Sequence, residues 1–162
     1  MIKVTTENYL QVYYHEKKVY SMDIDDEVLV SGSTDNKIQV WNMASSSKLF
    51  EVSHDGDVWC VKIVGKMIVS CGDKTVRIWS LEDGTLLHKL QLPSWCWSFD
   101  LNSEKTLLAV ALDRGVSIWD FANRIEISEI KLDMVTDVRF NEQGTTLIVG
   151  QFDGQISKID LS

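Results

Sequence analysis

Short apolar runs alternate with polar residues along almost the whole chain, with the two-residue step of a β-strand. The clearest stretches are Ile38-Gln39-Val40-Trp41, Val76-Arg77-Ile78-Trp79, Val116-Ser117-Ile118-Trp119 and Ile156-Ser157-Lys158-Ile159. Two further apolar runs precede each of them. They predict strands near Val19–Ile24 and Val28–Ser31, Val58–Ile63 and Met67–Cys71, Cys96–Leu101 and Leu107–Ala111, and Val135–Phe140 and Leu147–Gly150. A fourth strand is expected near Lys48–Val52, Leu86–Leu90 and Glu126–Ile130. The links carry turn residues, among them Asp55-Gly56, Asp83-Gly84, Gln143-Gly144 and Asp153-Gly154. The single proline, Pro93, falls in a loop where it breaks no ladder. No stretch reads as a long helix, a linker or a low-complexity tract.

The strand sets repeat. Ser31–Trp41 reads SGSTDNKIQVW, Ser70–Trp79 reads SCGDKTVRIW, Ala109–Trp119 reads AVALDRGVSIW and Val149–Ile159 reads VGQFDGQISKI. In each copy an Asp lies six positions before the last residue, and the copies recur at spacings of 38, 40 and 40 residues. A period near 40 with an Asp turn leading into an alternating strand is the signature of a propeller blade. On these residues the chain resembles the WD40 repeat family. The resemblance implies an all-β fold of four-stranded antiparallel blades around a central channel, four blades in this chain. It implies no reaction, because a fold hosts many functions.

The resemblance also implies a buried relay of His, Ser, Asp and Trp in each blade. Carried over by position, the first blade has His15, Ser31, Asp35 and Trp41, and the second has His54, Ser70, Asp73 and Trp79. A fully bonded buried network of this kind rigidifies its surroundings. The third blade has Pro93 and Ala109 in place of His and Ser and keeps Asp113 and Trp119; the fourth keeps only Asp153. Asp113 and Asp153 are then expected to bond the amides of their own turns. Recurrence at the blade period and the lack of a nucleophile elbow argue against a Ser-His-Asp hydrolase, so no enzyme is expected.

Sliding the N-terminus by 39 residues lays LQVYYHEKKVYS, from Leu10, on LFEVSHDGDVWC, from Leu49. Tyr9–Tyr13 is therefore expected to be an outer strand that completes the last blade, as the family resemblance implies. Residues 1–162 then form a single domain, with blades near residues 15–52, 54–90, 93–130 and 132–162. Two chains related by a two-fold axis would make eight blades and leave no open sheet edge. A fragment of a longer propeller and a closed four-blade ring are the alternatives. Lys158 is a misfit, since Val40, Ile78 and Ile118 hold its position elsewhere.

Aromatic residues point to a surface. Tyr20, Trp59 and Trp97 occupy equivalent positions early in the innermost strands, and Trp95 lies two residues before Trp97. The family resemblance implies that these positions, and the residue before each turn Asp, border one mouth of the channel. Leu112 and Phe152 are large apolar residues at that second position. Together these six have the composition of a protein-binding hot spot, so a protein or peptide partner is expected on this top face.

Charge narrows the partners. The formal net charge is −8, and the four arginines are scattered. Nucleic-acid and anionic-membrane partners are therefore not expected, and no arginine cluster suits a phosphopeptide. The acidic run Asp23–Glu27 lacks the glycine and spacing of a calcium loop; no metal and no cofactor are expected. Three cysteines without a CxxC pair read as reduced thiols in a cytoplasmic protein, with the nucleus as the alternative setting. The expected function is a non-enzymatic protein- or peptide-binding scaffold, expected as a homodimer by the count of blades; the alternative is part of a substrate receptor of the F-box type, although no F-box segment is present.

Overall fold

A computed structural model describes residues 13–161. Fifteen strands and no helix fill these residues. The first sheet holds β1 (Val19–Asp25), β2 (Val28–Ser33), β3 (Lys37–Asn42) and β4 (Ser47–Ser53) in sequence order. The second holds β5 (Val58–Val64), β6 (Met67–Gly72), β7 (Thr75–Ser80) and β8 (Leu86–Gln91). The third holds β9 (Cys96–Leu101), β10 (Leu107–Leu112), β11 (Gly115–Asp120) and β12 (Ile125–Lys131). The fourth has three strands among the described residues, β13 (Val135–Phe140), β14 (Thr146–Gln151) and β15 (Ile156–Asp160). Every pairing is antiparallel between chain neighbours, which short polar turns allow. The expected outer strand at Tyr9–Tyr13 lies outside the described residues except for Tyr13, whose ring packs 4.5 Å from that of Trp41.

The cores lie between blades. Val30, Ile38 and Val40 of blade 1 meet Val58, Val61 and Ile68 of blade 2. Val69, Val76 and Ile78 of blade 2 meet Cys96, Phe99 and Leu108 of blade 3. Ala109, Val116 and Ile118 of blade 3 meet Val135, Val138 and Leu147 of blade 4. Blades 2 and 3 thus each bury a leading face under the next blade and a trailing face against the previous one, and stability comes from nearest-neighbour joints. The innermost strands β1, β5, β9 and β13 pack against one another in that order.

The four blades form an open arc. Val19, Met22 and Ile24 on the trailing face of blade 1 are exposed, as are Ile148 and Ile156 on the leading face of blade 4. A closed four-blade ring, one of the expected alternatives, would bury both sets, so the chain does not close on itself. Lys158 is exposed on that same face of blade 4 and pairs with Asp160 at 3.1 Å.

Candidate functional site

One mouth of the arc is built by bulges. In each innermost strand the register slips by one residue near its start, between Val19 and Ser21, Val58 and Cys60, Cys96 and Ser98, and Val135 and Asp137. The unpaired extra residues are Tyr20, Trp59, Trp97 and Thr136. A bulge re-aims its side chain away from the sheet's regular alternation. Three successive blades therefore bring three aromatic rings together: Tyr20 and Trp59 stand 4.7 Å apart in an edge arrangement, and Trp59 and Trp97 stand 5.2 Å apart. Both spacings fall in the range of favourable aromatic pairs.

The indole N–H groups in this arc differ. Trp97 donates to the Asp113 carboxylate at 2.7 Å. Asp113 was expected to serve its own turn, but the bulged Trp97 reaches it instead. Asp153 does bond its own turn, accepting from the backbone N–H of Gln155 at 3.0 Å. Trp59 Nε1 is buried and has no partner among the described residues. Trp95 is exposed, and it lines a cleft of about 350 Å³ with Lys74, Arg114 and Glu129. Phe152 is 76% exposed at the tip of the β14–β15 turn.

Leu112 departs from expectation. It is only 2% exposed and belongs to the core between blades 2 and 3, because as the last residue of β10 it faces Cys96 and the second blade. Gly72 holds the corresponding place in blade 2. A Cβ there would overlap the Asp57 carbonyl oxygen and come within 3.1 Å of His54 Nδ1, so any side chain would disrupt the turn beside the relay.

The relays form in part. In blade 1, His15 Nδ1 lies 2.9 Å from Asp35 Oδ2 and Nε2 lies 2.8 Å from Ser31 Oγ. Asp35 also accepts from the backbone N–H groups of Glu16 and Lys37, at 3.0 and 2.9 Å. Burial works to raise its carboxyl, yet these bonds hold it below the usual carboxylate range. Trp41 stands outside this network: its indole N–H has no partner among the described residues, and its ring is packed between Tyr13 and the Lys48 ammonium.

In blade 2, Trp79 donates to Ser70 Oγ at 2.9 Å, and Ser70 Oγ lies 2.7 Å from His54 Nε2. The Asp73 carboxylate on the Nδ1 side of the ring favours the imidazole proton there, which leaves Nε2 to accept from the Ser70 hydroxyl. Nδ1 faces Asp73 at 3.5 Å, an ion-pair distance rather than a hydrogen bond. Arg77 explains the gap. Its buried guanidinium reaches Asp73 at 3.2 Å, pairs with Asp55, donates to the Thr75 hydroxyl and the Ser53 carbonyl, and stacks over the Trp79 ring. Asp73 is thus shared between His54 and Arg77. Burial opposes its ionisation, but these neighbours hold it well below the usual carboxylate range.

Burial pushes the His54 imidazole below its ordinary value, so it is neutral in the fold. The unfolded chain takes up a proton at this residue near pH 6.5, before the folded chain does. Stability is therefore full above that pH and is expected to fall as the pH drops from 7 to 5. Urea unfolding across this range should show a falling midpoint. His54→Gln should flatten the slope; an unchanged slope would contradict a neutral buried His54.

Blade 3 solves the same problem differently. Trp119 donates to Ser117 Oγ at 2.6 Å, and Ser117 in turn donates to Glu126 at 2.6 Å. Ser117 and Arg77 both lie two residues before the terminal Trp, on the same strand face, and Gln39 occupies that place in blade 1. A polar residue at this buried position was the available sign in the sequence.

A second polar series runs along the inner strands. Asp23, Lys62, Asp100 and Arg139 occupy equivalent positions in β1, β5, β9 and β13. Asp23 Oδ2 accepts from the Ile63 backbone N–H at 2.7 Å, and Asp100 Oδ2 accepts from that of Phe140 at 2.9 Å, each one blade ahead. Lys62 pairs with Asp100 across the joint between blades 2 and 3. The sequence marked Asp23 only as part of the acidic run Asp23–Glu27 and did not single out the other three, because surface charges and joint charges look alike there.

The comparisons with known proteins agree with this architecture. Residues 7–42 and 46–80 match the family model described as WD domain, G-beta repeat. The chain is 28% identical over 79% of its length to the small ribosomal subunit protein RACK1y of Oryza sativa subsp. japonica, covering 42% of that protein. It is 24% identical over 94% of its length to the eukaryotic translation initiation factor 3 subunit I of Drosophila pseudoobscura pseudoobscura, covering 53% of that protein. It thus spans about half the length of these relatives. The crystal structure of the computationally designed Ika4 protein superposes with a TM-score of 0.83 over 94% of this chain and 96% of that one, at 20% identity, which shows the fold alone. The first two blades are thus WD40 repeats by sequence, and the third and fourth follow the same strand plan of a β-propeller.

Proposed function

We propose that the chain is a non-enzymatic platform that binds a protein or peptide across the bulged mouth, and that two chains assemble into an eight-bladed ring. The observation that carries the binding reading is the arc of Tyr20, Trp59 and Trp97, flanked by the exposed Trp95 and Phe152. Clustered aromatics are the residues that anchor interfaces. The Ser and His groups support a structural role, since their hydrogen bonds run into Trp79 and the blade core. The relatives named as subunits of a ribosomal particle and of an initiation factor support a role inside protein assemblies in the cytoplasm. The chain's acidity favours an apolar-anchored ligand over nucleic acid. The alternative is a piece of a longer propeller, such as an F-box-type substrate receptor; the relatives, about twice this length, favour considering it.

Peptides selected from a display library on the intact protein test the binding reading. Trp95→Ala combined with Phe152→Ala, in protein that still melts cooperatively, is expected to weaken the selected peptides by about tenfold or more, since each anchor is worth about 1–2 kcal/mol. Equal binding by the double variant would exclude the mouth. A cleft of about 640 Å³ at the opposite end, floored by Met67 and Phe121 and rimmed by Lys66, Lys105 and Arg124, would then be the next site to test.

A further inference from the structure

The two open ends of the arc are the two halves of one joint. On blade 1, Val19, Met22 and Ile24 hold the places that Val58, Val61 and Ile63 hold on blade 2, where Val58 and Val61 are buried against blade 1. On blade 4, Ile148 and Ile156 hold the places of Val69 and Val76, which blade 3 covers completely. Met22 is 66% and Ile156 78% exposed. An apolar match alone names no occupant. The charges do.

At the joint between blades 2 and 3, Asp100 makes two contacts. One carboxylate oxygen accepts from the Lys62 ammonium of the blade behind, and the other from the Phe140 N–H of the blade ahead. Asp23 repeats the forward contact through Ile63 but has no cation behind it among the described residues. Arg139 stands at the Lys62 position on the blade that has nothing ahead. It contacts Asp137 at 2.7 Å and Ser98 at 3.2 Å, and its five donors leave N–H groups to spare. Around the arc the order is acid, base, acid, base. Arg139 makes these contacts, and one to the Val138 carbonyl, through Nη1, and Asp23 accepts only backbone N–H groups, from Ile24 and Ile63, so the base at one end complements the acid at the other in the register of an existing joint.

We propose that blade 4 of one chain packs on blade 1 of a second copy, with Arg139 meeting the partner's Asp23 as Lys62 meets Asp100. The proposal rests on the two-chain reading above and specifies its seam. A two-fold axis makes the same seam twice and covers both apolar faces.

The test is a charge exchange read by light scattering. The parent is expected at the mass of two chains. Arg139→Glu sets two carboxylates against each other at both seams and should weaken assembly by at least tenfold. Because Asp23 also holds Ile63, Asp23→Lys serves only as the rescuing partner. An equimolar mixture of the two variants opposes Glu to Lys at one seam and keeps Arg opposite Asp at the other, so dimers of mixed composition should return. Ile156→Asp, at a position open in the single chain, should also dissociate the parent and leave a single chain that still unfolds cooperatively. A two-chain Arg139→Glu variant, an unrescued mixture of folded variants, or an Ile156→Asp variant that stays assembled overturns the seam. Rescue at a mass above two chains keeps the seam and overturns the eight-blade count. A parent that remains a single chain at all concentrations overturns both.

Discussion

Phe99→Ala is expected to lower the unfolding free energy by about 3–5 kcal/mol, the usual cost of emptying a large aromatic site in a core. Phe99 is among the largest side chains that are fully buried. It sits on β9 where blades 2 and 3 meet, among residues drawn from both sheets. Neither sheet can collapse into the space without moving its own ladder, so little of the cavity should be relieved. Phe99→Leu keeps most of the volume and should cost about 1.5 kcal/mol or less. The corresponding residue in blade 1 is Met22, which is exposed, and Met22→Ala in the dissociated chain should change stability by less than about 0.5 kcal/mol. Urea midpoints at constant slope measure all three. Equal losses for Phe99→Ala and Met22→Ala would show that the blade joints are not where the stability lies.

Gly115→Ala is the second large effect, with a loss of about 3 kcal/mol expected from two sources. The residue has φ 141°, a conformation that side chains rarely adopt, and strain of that kind costs about 1–3 kcal/mol. An added Cβ would also overlap the Ile130 carbonyl oxygen and come within 3.0 Å of its carbon, on the neighbouring strand β12. Overpacking of that kind costs about 1–3 kcal/mol more. Gly154 separates the terms. It has φ 91° but open space around the missing Cβ, so Gly154→Ala should show the strain alone, about 1 kcal/mol. Chemical denaturation of both variants checks the difference; equal losses would mean that the contact with Ile130 relaxes at no cost.

The blade plan was legible because it rests on local chemistry repeated four times. Alternation placed β3, β7, β11 and β15, and Asp turns set their starts. The relay of blade 2 was legible as residue types but not as geometry. His54 and Asp73 were expected to bond directly, whereas the buried Arg77 draws the carboxylate to itself. Position alone made Leu112 look like a turn-tip residue, but the slip opposite Trp97 carries it into the core. The same slip aims the three aromatic rings at one another, and nothing in a single sequence marks a bulge. The series from Asp23 to Arg139 was hidden for another reason. Its contacts lie about 40 residues apart, between blades rather than within them.

That spacing has a kinetic consequence. Each sheet closes through short turns within one repeat, but no sheet can cover its apolar faces until the next one exists. The joint between blades 2 and 3 gathers Phe99, Trp119 and Phe121 with the aliphatic residues of β6 and β7, so the middle of the chain offers the most favourable first pair. During synthesis blade 1 emerges before that pair. Its sheet is expected to wait, weakly formed, until the pair of blades 2 and 3 is in place, and blade 4 to dock on the other side of that pair. Order would then spread outward from the centre, so the two exposed apolar faces are also the last to take shape.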